Sequence, residues 1–373
     1  MKLIAFYLPQ FHEIPENNMW WGKGFTEWVN VKKNKKIFPK HYQPRVPYKN
    51  NYYDLSNVLV MKWQAKLAKK YGISGFCFYH YWFAGKKLLE KPVEQLLNTK
   101  SINIEYCFAW ANEPWTRTWH GAGSSSGKHK EVLIRQSYGE YSDWVEHFNY
   151  LLPFFLDKRY IKKDNKPILL IYRVGYMVKG HQMFECWNNE AKKNGFDGIH
   201  ILSMLSAVDK YDYNKYIEGT VDFEPGKTRR MNNMFKSSFN KVKDFIIDHR
   251  LTFSLYNKYL CNIMSYDKVN KEMINKKHIK NEYRGIFVDY DDSPRRQMKG
   301  TIVLGSTPRK FEKYLYINMK KSQKEGNDIV FINAWNEWGE SNYLEPDERY
   351  GFSYLYAIKN AVKKFKKERY YAK

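Results

Sequence analysis

Eight short apolar runs, each followed by enough chain to cross back as a helix, constrain this sequence more than any other feature. They fall near residues 2–8, 73–81, 104–110, 167–173, 199–204, 219–224, 285–290 and 328–335. Short strands joined by long connections read as parallel βαβ units. Eight such units in 373 residues fit an α/β fold, a single (β/α)8 TIM barrel. The helices carry their own punctuation. After the first strand, Ser56 is a candidate N-cap, Val58, Met61, Ala65 and Ala68 recur at helical spacing, and Gly72 closes the element. Near the end of the chain, Leu355, Ile358, Val362 and Phe365 form an apolar stripe with lysines around it. No repeat, linker or composition break divides the chain, so residues 1–373 are expected to form one domain. Ser124-Ser125-Ser126-Gly127 reads as a local flexible loop.

Two connections are longer than a barrel requires. Residues 9–55 form a long β1–α1 loop holding Trp20, Trp21 and Trp28, and loops of that size usually bind or cover a site. Residues 226–283 follow the sixth strand, are rich in Lys and Arg, and are expected to form a basic helical insertion.

The formal net charge of +24 admits nucleic acid, an anionic membrane surface, or an acidic or lipid-linked glycan as partner. Much of it is lysine on helices, which also serves as plain wet surface. Aromatic residues make up 18% of the chain and gather at strand ends rather than along a basic groove, which speaks against nucleic acid. Cys77, Cys107, Cys186 and Cys261 lack CxxC spacing, so neither a zinc site nor a disulfide framework is expected. There is no HExxH, Walker loop or GxGxxG, and no metal or cofactor is expected. Met1-Lys2 runs straight into Leu3-Ile4-Ala5-Phe6, too short a run for a signal peptide, and no later stretch approaches the ~20 apolar residues of a membrane span. The expected location is the cytoplasm, with peripheral contact at the inner membrane left open by the charge.

In a barrel of this kind the active site lies at the C-terminal ends of the strands. Those ends are crowded with polar and aromatic residues: Tyr7, Gln10 and His12; Tyr79, His80, Tyr81 and Trp82; Trp110, Asn112, Glu113, Trp115, Arg117 and Trp119; Tyr172 and Arg173; Asp222 and Glu224; Asp289, Asp291 and Asp292. The eighth run ends in Trp335-Asn336-Glu337-Trp338-Gly339-Glu340, where two carboxylates stand three residues apart among indoles. Carboxylates can act as acid and base toward a glycosidic bond, and indoles offer flat faces to sugar rings. Bland readings stand beside these: His80 as a satisfied core histidine, Asp222 and Glu224 as caps, and Asp289-Tyr290-Asp291 as a chance DxD. Asn112-Glu113-Pro114 matches the acid/base triplet of a large clan of barrel glycosidases. There it ends the fourth strand and here the third, so Glu113 is a second catalytic candidate. Trp28, Trp110, Trp115, Trp335 and Trp338 are expected to stack on substrate, with Tyr7, Gln10, His12, Tyr79, His80, Asn112, Asp291 and Asn336 as further sugar contacts.

These residues resemble a known family. Ile4-Ala5-Phe6-Tyr7-Leu8-Pro9-Gln10-Phe11-His12, Trp21-Gly22-Lys23-Gly24-Phe25-Thr26-Glu27-Trp28, Gly75-Phe76-Cys77-Phe78-Tyr79, Trp110-Ala111-Asn112-Glu113 and Asn336-Glu337-Trp338-Gly339-Glu340 are similar to the WbsX-like proteins of bacterial O-antigen and capsule loci, often labelled glycosyltransferases. They also resemble glycoside hydrolase family 99, the endo-α-mannosidase and endo-mannanase barrels, through a Glu-Trp-x-Glu pattern. That resemblance implies Glu337 as the base that takes the sugar 2-hydroxyl proton, giving a 1,2-anhydro sugar with retention, and Glu340 as acid/base for the leaving group. Family 99 commonly has His where this chain has Gly339, which puts mannose specificity in doubt. The implied function is a retaining, metal-independent glycoside hydrolase acting on α-glycosidic, mannoside-type bonds of a surface polysaccharide or its precursor. The alternatives are a glycosyltransferase of polysaccharide assembly and a carbohydrate-binding barrel without catalysis.

Overall fold

A computed structural model describes residues 1–117, 131–205, 215–233, 247 and 257–371. The eight expected strands all form: β1 Lys2–Tyr7, β2 Gly75–Phe83, β3 Glu105–Trp110, β4 Lys166–Ile171, β5 His200–Leu205, β6 Ile217–Asp222, β7 in two pieces, Glu282–Tyr283 and Gly285–Phe287, and β8 Ile329–Asn333. Each pairs in parallel with its sequence neighbour, and β8 pairs with β1 from Lys2↔Ile329 to Ala5↔Ile332. The first piece of β7 pairs with β6 and the second with β8, so the ring closes through the break. Gly285 explains the tight passage there: a Cβ would lie 1.8 Å from the Asp222 carbonyl oxygen. Arg284, only 1% exposed, fills the break and donates to Glu325 and to the Lys276 carbonyl.

The barrel is filled by aromatic layers. Phe6 meets Phe223 edge-on at 5.3 Å and stacks with Tyr79 at 5.9 Å and Phe331 at 5.7 Å, a plug beneath the C-terminal mouth. The helix Val58–Tyr71 buries Met61, Ala65 and Ala68 against the barrel. Its N-cap is Asn57 rather than Ser56, because the Asn57 carboxamide accepts the Leu59 N–H, and Gly72 closes it in the left-handed region at φ 98°. The last helix, Ser353–Tyr371, buries Leu355, Ile358 and Phe365. A Cβ at Gly72, ahead of β2, would lie 3.4 Å from Val362, which places this half of the helix at the barrel's lower end.

The insertion after β6 is not purely helical. Around the helices Gly226–Asn233, Asn257–Leu260 and Tyr266–Asn275 it contributes a strand, Asn262–Ser265, paired in parallel with Thr301–Leu304. Tyr290–Asp291 completes a separate three-stranded sheet on the other side of Thr301–Leu304. Residues 234–246 and 248–256 of the insertion, Trp119, and the loop Ser124–Gly127 lie outside the described residues. All four cysteines are buried, and none is joined in a disulfide. Among the described residues no helix is long and apolar enough to cross a membrane.

Candidate active site

Strand parity decides which residues face the mouth of the barrel, since successive side chains point to opposite faces. A cleft opens there, lined from the β1 end by Leu8 and Gln10, from β2 by Tyr79 and Tyr81, and from the β3 end by Ala111, Glu113 and Trp115. Tyr172 after β4 and Phe223 after β6 complete its walls, with Arg295, Glu337 and Glu340 on the remaining side. The loop after β5, residues 206–214, lies outside the described residues. The intervening residues turn outward to the helices. Tyr7 donates to Gln64 at 2.6 Å. His80 meets His147 at 2.8 Å between Nε2 atoms, and burial pushes its pKa down to about 3, the state of a neutral core histidine. Trp110 is 1% exposed and packs against Trp187 and His147.

The carboxylate pair sits on one turn. Asn336–Glu337 pairs antiparallel with Asn342–Tyr343, and the 3-10 turn Trp338–Glu340 spans the hairpin, so Glu337 and Glu340 both reach the cleft. Arg295, from the short helix Ser293–Arg296 after β7, lies between them. Its Nη2 donates to Glu337 at 2.6 Å and its Nη1 to Glu340 at 3.1 Å. Its Nε donates to Glu27 Oε1 at 2.9 Å, and Glu27 is fully buried. Burial raises the Glu337 pKa to about 8 against the pull of Arg295, with Glu340 and Glu27 adding to the rise. Burial raises Glu340 as well, although 25% of its side chain stays open to the cleft. A pair in this state can hold one proton near neutrality, as an acid and a base working together must.

Gly339 is dictated by this arrangement. A Cβ there would stand 1.9 Å from Glu27 Oε1 and 2.9 Å from Arg295 Nε, so the Glu27–Arg295 pair occupies the space of a side chain.

Glu113, the second candidate, receives Arg173 Nε at 2.6 Å. Gln10 lines the cleft and is 6% exposed, and among the described residues its buried Nε2 has no hydrogen-bond partner.

Other expected contacts lie away from the cleft. Asn336 accepts the Leu8 N–H at 2.8 Å and donates to the Leu8 carbonyl at 2.9 Å. Asn112 does the same to Arg173, at 2.7 Å and 2.8 Å. Trp335 and Trp338 are fully buried, and Trp28, 5% exposed, donates to the Tyr53 carbonyl and packs on Trp338. These indoles are core, so the stacking expected of Trp28, Trp110, Trp335 and Trp338 is corrected: of the five, only Trp115 lines the cleft, with Trp20 against its ring at 5.9 Å. His12 contacts the Pro9 carbonyl. Asp291 accepts from His41 and Gln43, and Asp289 from Arg45, so the DxD carboxylates are tied to the long β1 loop. No group of three or more His, Cys, Asp or Glu placed to hold a metal occurs among the described residues.

Arg295 and Glu27 were absent from the sequence expectations as site residues. Glu27 lay in a motif, and Arg295 followed a strand end in Asp292-Ser293-Pro294-Arg295, but their meeting across 268 positions has no local signature.

The profile of the family described as glycosyltransferase WbsX matches residues 3–358. The chain belongs to the WbsX family. A relative, the uncharacterized protein WxcX of Xanthomonas campestris pv. campestris strain B100, is 35% identical over 365 residues, covering 96% of this chain and 49% of WxcX. WxcX of strain ATCC 33913 matches to the same extent, and this WbsX family member spans about half the length of both. In fold it is similar to the GH99 endo-alpha-mannosidase of Bacteroides thetaiotaomicron, with a TM-score of 0.57 over 98% of both chains at 14% identity. A structure described as a glycoside hydrolase-like protein matches with a TM-score of 0.56 at 11% identity, covering 96% of this chain and 93% of that one. These likenesses show that the WbsX chain has the family 99 barrel fold.

Proposed function

We propose that the protein is a retaining glycoside hydrolase-type enzyme acting on α-glycosidic, mannoside-type bonds of a bacterial surface polysaccharide or its precursor. The observation that carries this reading is the Glu337–Glu340 pair on one turn, bridged by Arg295 at the mouth of a family 99-type barrel.

In the first step, with the pair's one proton on Glu340, ionised Glu337 takes the proton of the sugar 2-hydroxyl while that oxygen attacks C1. The bond from C1 to the leaving oxygen breaks, and Glu340 gives that oxygen its proton. In the second step Glu340 takes a proton from water, whose oxygen attacks C1 of the 1,2-anhydro sugar. The C1–O2 bond opens, O2 takes the proton back from Glu337, and the configuration at C1 is retained. Arg295 offsets negative charge on whichever carboxylate is ionised, and Gln10 offers its amide to a sugar hydroxyl.

A second reading, transfer to an acceptor sugar in place of water, is favoured by the family's glycosyltransferase name. Incubation with a panel of α-linked oligosaccharides, followed by proton NMR of the first product, tests both. Retained reducing sugar supports hydrolysis, elongated glycan supports transfer, and an inverted product overturns the anhydro route.

A further inference from the structure

We infer that Glu27 and Arg295 form a positioning pair that holds the Glu337 and Glu340 side chains in place and sets how they share a proton. This deepens the proposed function and rests on its reading of those two carboxylates as the acting groups.

The geometry is a fork with a handle. A guanidinium is planar and rigid, so its orientation fixes everything bonded to it. Nη1 and Nη2 of Arg295 take Glu340 and Glu337, while Nε is held from behind by Glu27. Without the handle, the fork could rotate about its stem and release one carboxylate. Glu27 belongs to a different part of the chain, the helix Glu27–Lys33 in the long β1 loop, so the pair also ties that loop to the site.

Glu27 has features that packing alone does not account for. It is an acidic side chain with no exposure, and its second oxygen, Oε2, has no partner among the described residues. Burying a carboxylate is costly unless a cation faces it. Gly339 is the complementary concession, because a Cβ at that position would collide with the Glu27 carboxylate.

The charges around the pair define the expected signs. Glu27, on the loop helix, and Glu340 raise Glu337, and Arg295 lowers it. Asp292 raises Glu340, whereas Arg295, Arg296 and, from the insertion helix, Arg229 lower it. Tyr79 and Tyr81 of β2 and Tyr290 face the same carboxylates as neutral phenols, each raised by burial.

The test needs no substrate. Infrared difference spectra over a pH titration follow protonated carboxyl bands, and Glu337→Gln and Glu340→Gln assign the transition of the pair. In Glu27→Gln the transition should move to lower pH by about one unit, the usual scale for one neighbouring charge. Arg295→Gln should move it upward. Melting temperatures measured alongside show that each variant is folded. An unmoved transition in folded Glu27→Gln, or a downward move in folded Arg295→Gln, overturns the inference. A wild-type protein that leaves every glycan intact would count against the proposed function, while the titration would still decide the pair.

Discussion

The indole Nε1 of Trp338 donates a 2.7 Å hydrogen bond to the carboxylate of Glu345, and neither side chain lines the cleft. Glu345 also accepts from Tyr53 at 2.9 Å and from Gln64 at 2.7 Å, which makes it a buried hub behind the turn that carries Glu337 and Glu340. Trp338 stacks on Tyr343 at 3.7 Å, fixing the hairpin from within.

Trp338→Ala is therefore expected to act on stability. Truncating a fully buried tryptophan costs about 3–5 kcal/mol, and here it also removes a donor from Glu345. Denaturant unfolding should show a loss of that order, with glycan affinity retained at temperatures where the variant is folded. Weakened binding at unchanged stability would return this indole to the cleft.

Glu337→Gln and Glu340→Gln should each lower turnover of a verified glycan by about 10²–10⁴-fold, the usual effect of removing an acid or base. Binding should persist, because the amide keeps the shape. If Glu113→Gln abolished turnover while the other two left it near normal, the acid/base role would pass to Glu113.

Stability should depend on pH through Glu345. Burial raises its pKa from 4.5 to about 7, so between those values the folded chain keeps a proton that the unfolded chain has released. The contribution is complete below about pH 4.5 and is lost as pH rises through about 7. Denaturation curves across this window should show stability falling with pH, and Glu345→Gln should flatten the fall. An equally steep slope in the variant would assign it to another group.

The lysines of the last helix are expected to bear on surface attraction alone. Lys363, Lys364, Lys366 and Lys367 are exposed, and Val362 beside them packs at the lower end of the barrel, opposite the cleft. Adhesion to vesicles containing anionic lipid should weaken as salt shortens the Debye length below ~8 Å. Replacing the four by Gln should reduce adhesion without changing glycan turnover. Salt-independent adhesion would point to apolar contact instead.

The sequence made the barrel legible because each strand announces itself as an apolar run of the right length, and the runs near 2–8 and 328–335 became the neighbours that close it. The break in β7 was invisible, since the apolar run near 285–290 begins only after Arg284 and the two residues Glu282–Tyr283 before it carry too little pattern to read as a strand. The strand Asn262–Ser265 was missed because four residues between helices carry little periodicity. At the site, position was legible and orientation was not. Tyr7, His80 and Trp110 stand at strand ends as expected, yet each has the outward parity, and only pairing register separates them from Leu8, Tyr79 and Ala111. The acidic motif revealed Glu337 and Glu340, whereas Arg295 depends on contacts 42 and 268 positions away.

The two asparagines bound to Leu8 and Arg173 have a consequence for how such a site can change over time. A carboxamide carries the same donor and acceptor as a peptide unit, so each asparagine adds one rung of ladder beyond the last residue of its strand. The floor beside the cleft thus shares the stiffness of the sheet. The turn that carries Glu337 and Glu340 begins at one of these rungs, so the two carboxylates start from the footing of a strand although they lie beyond its end.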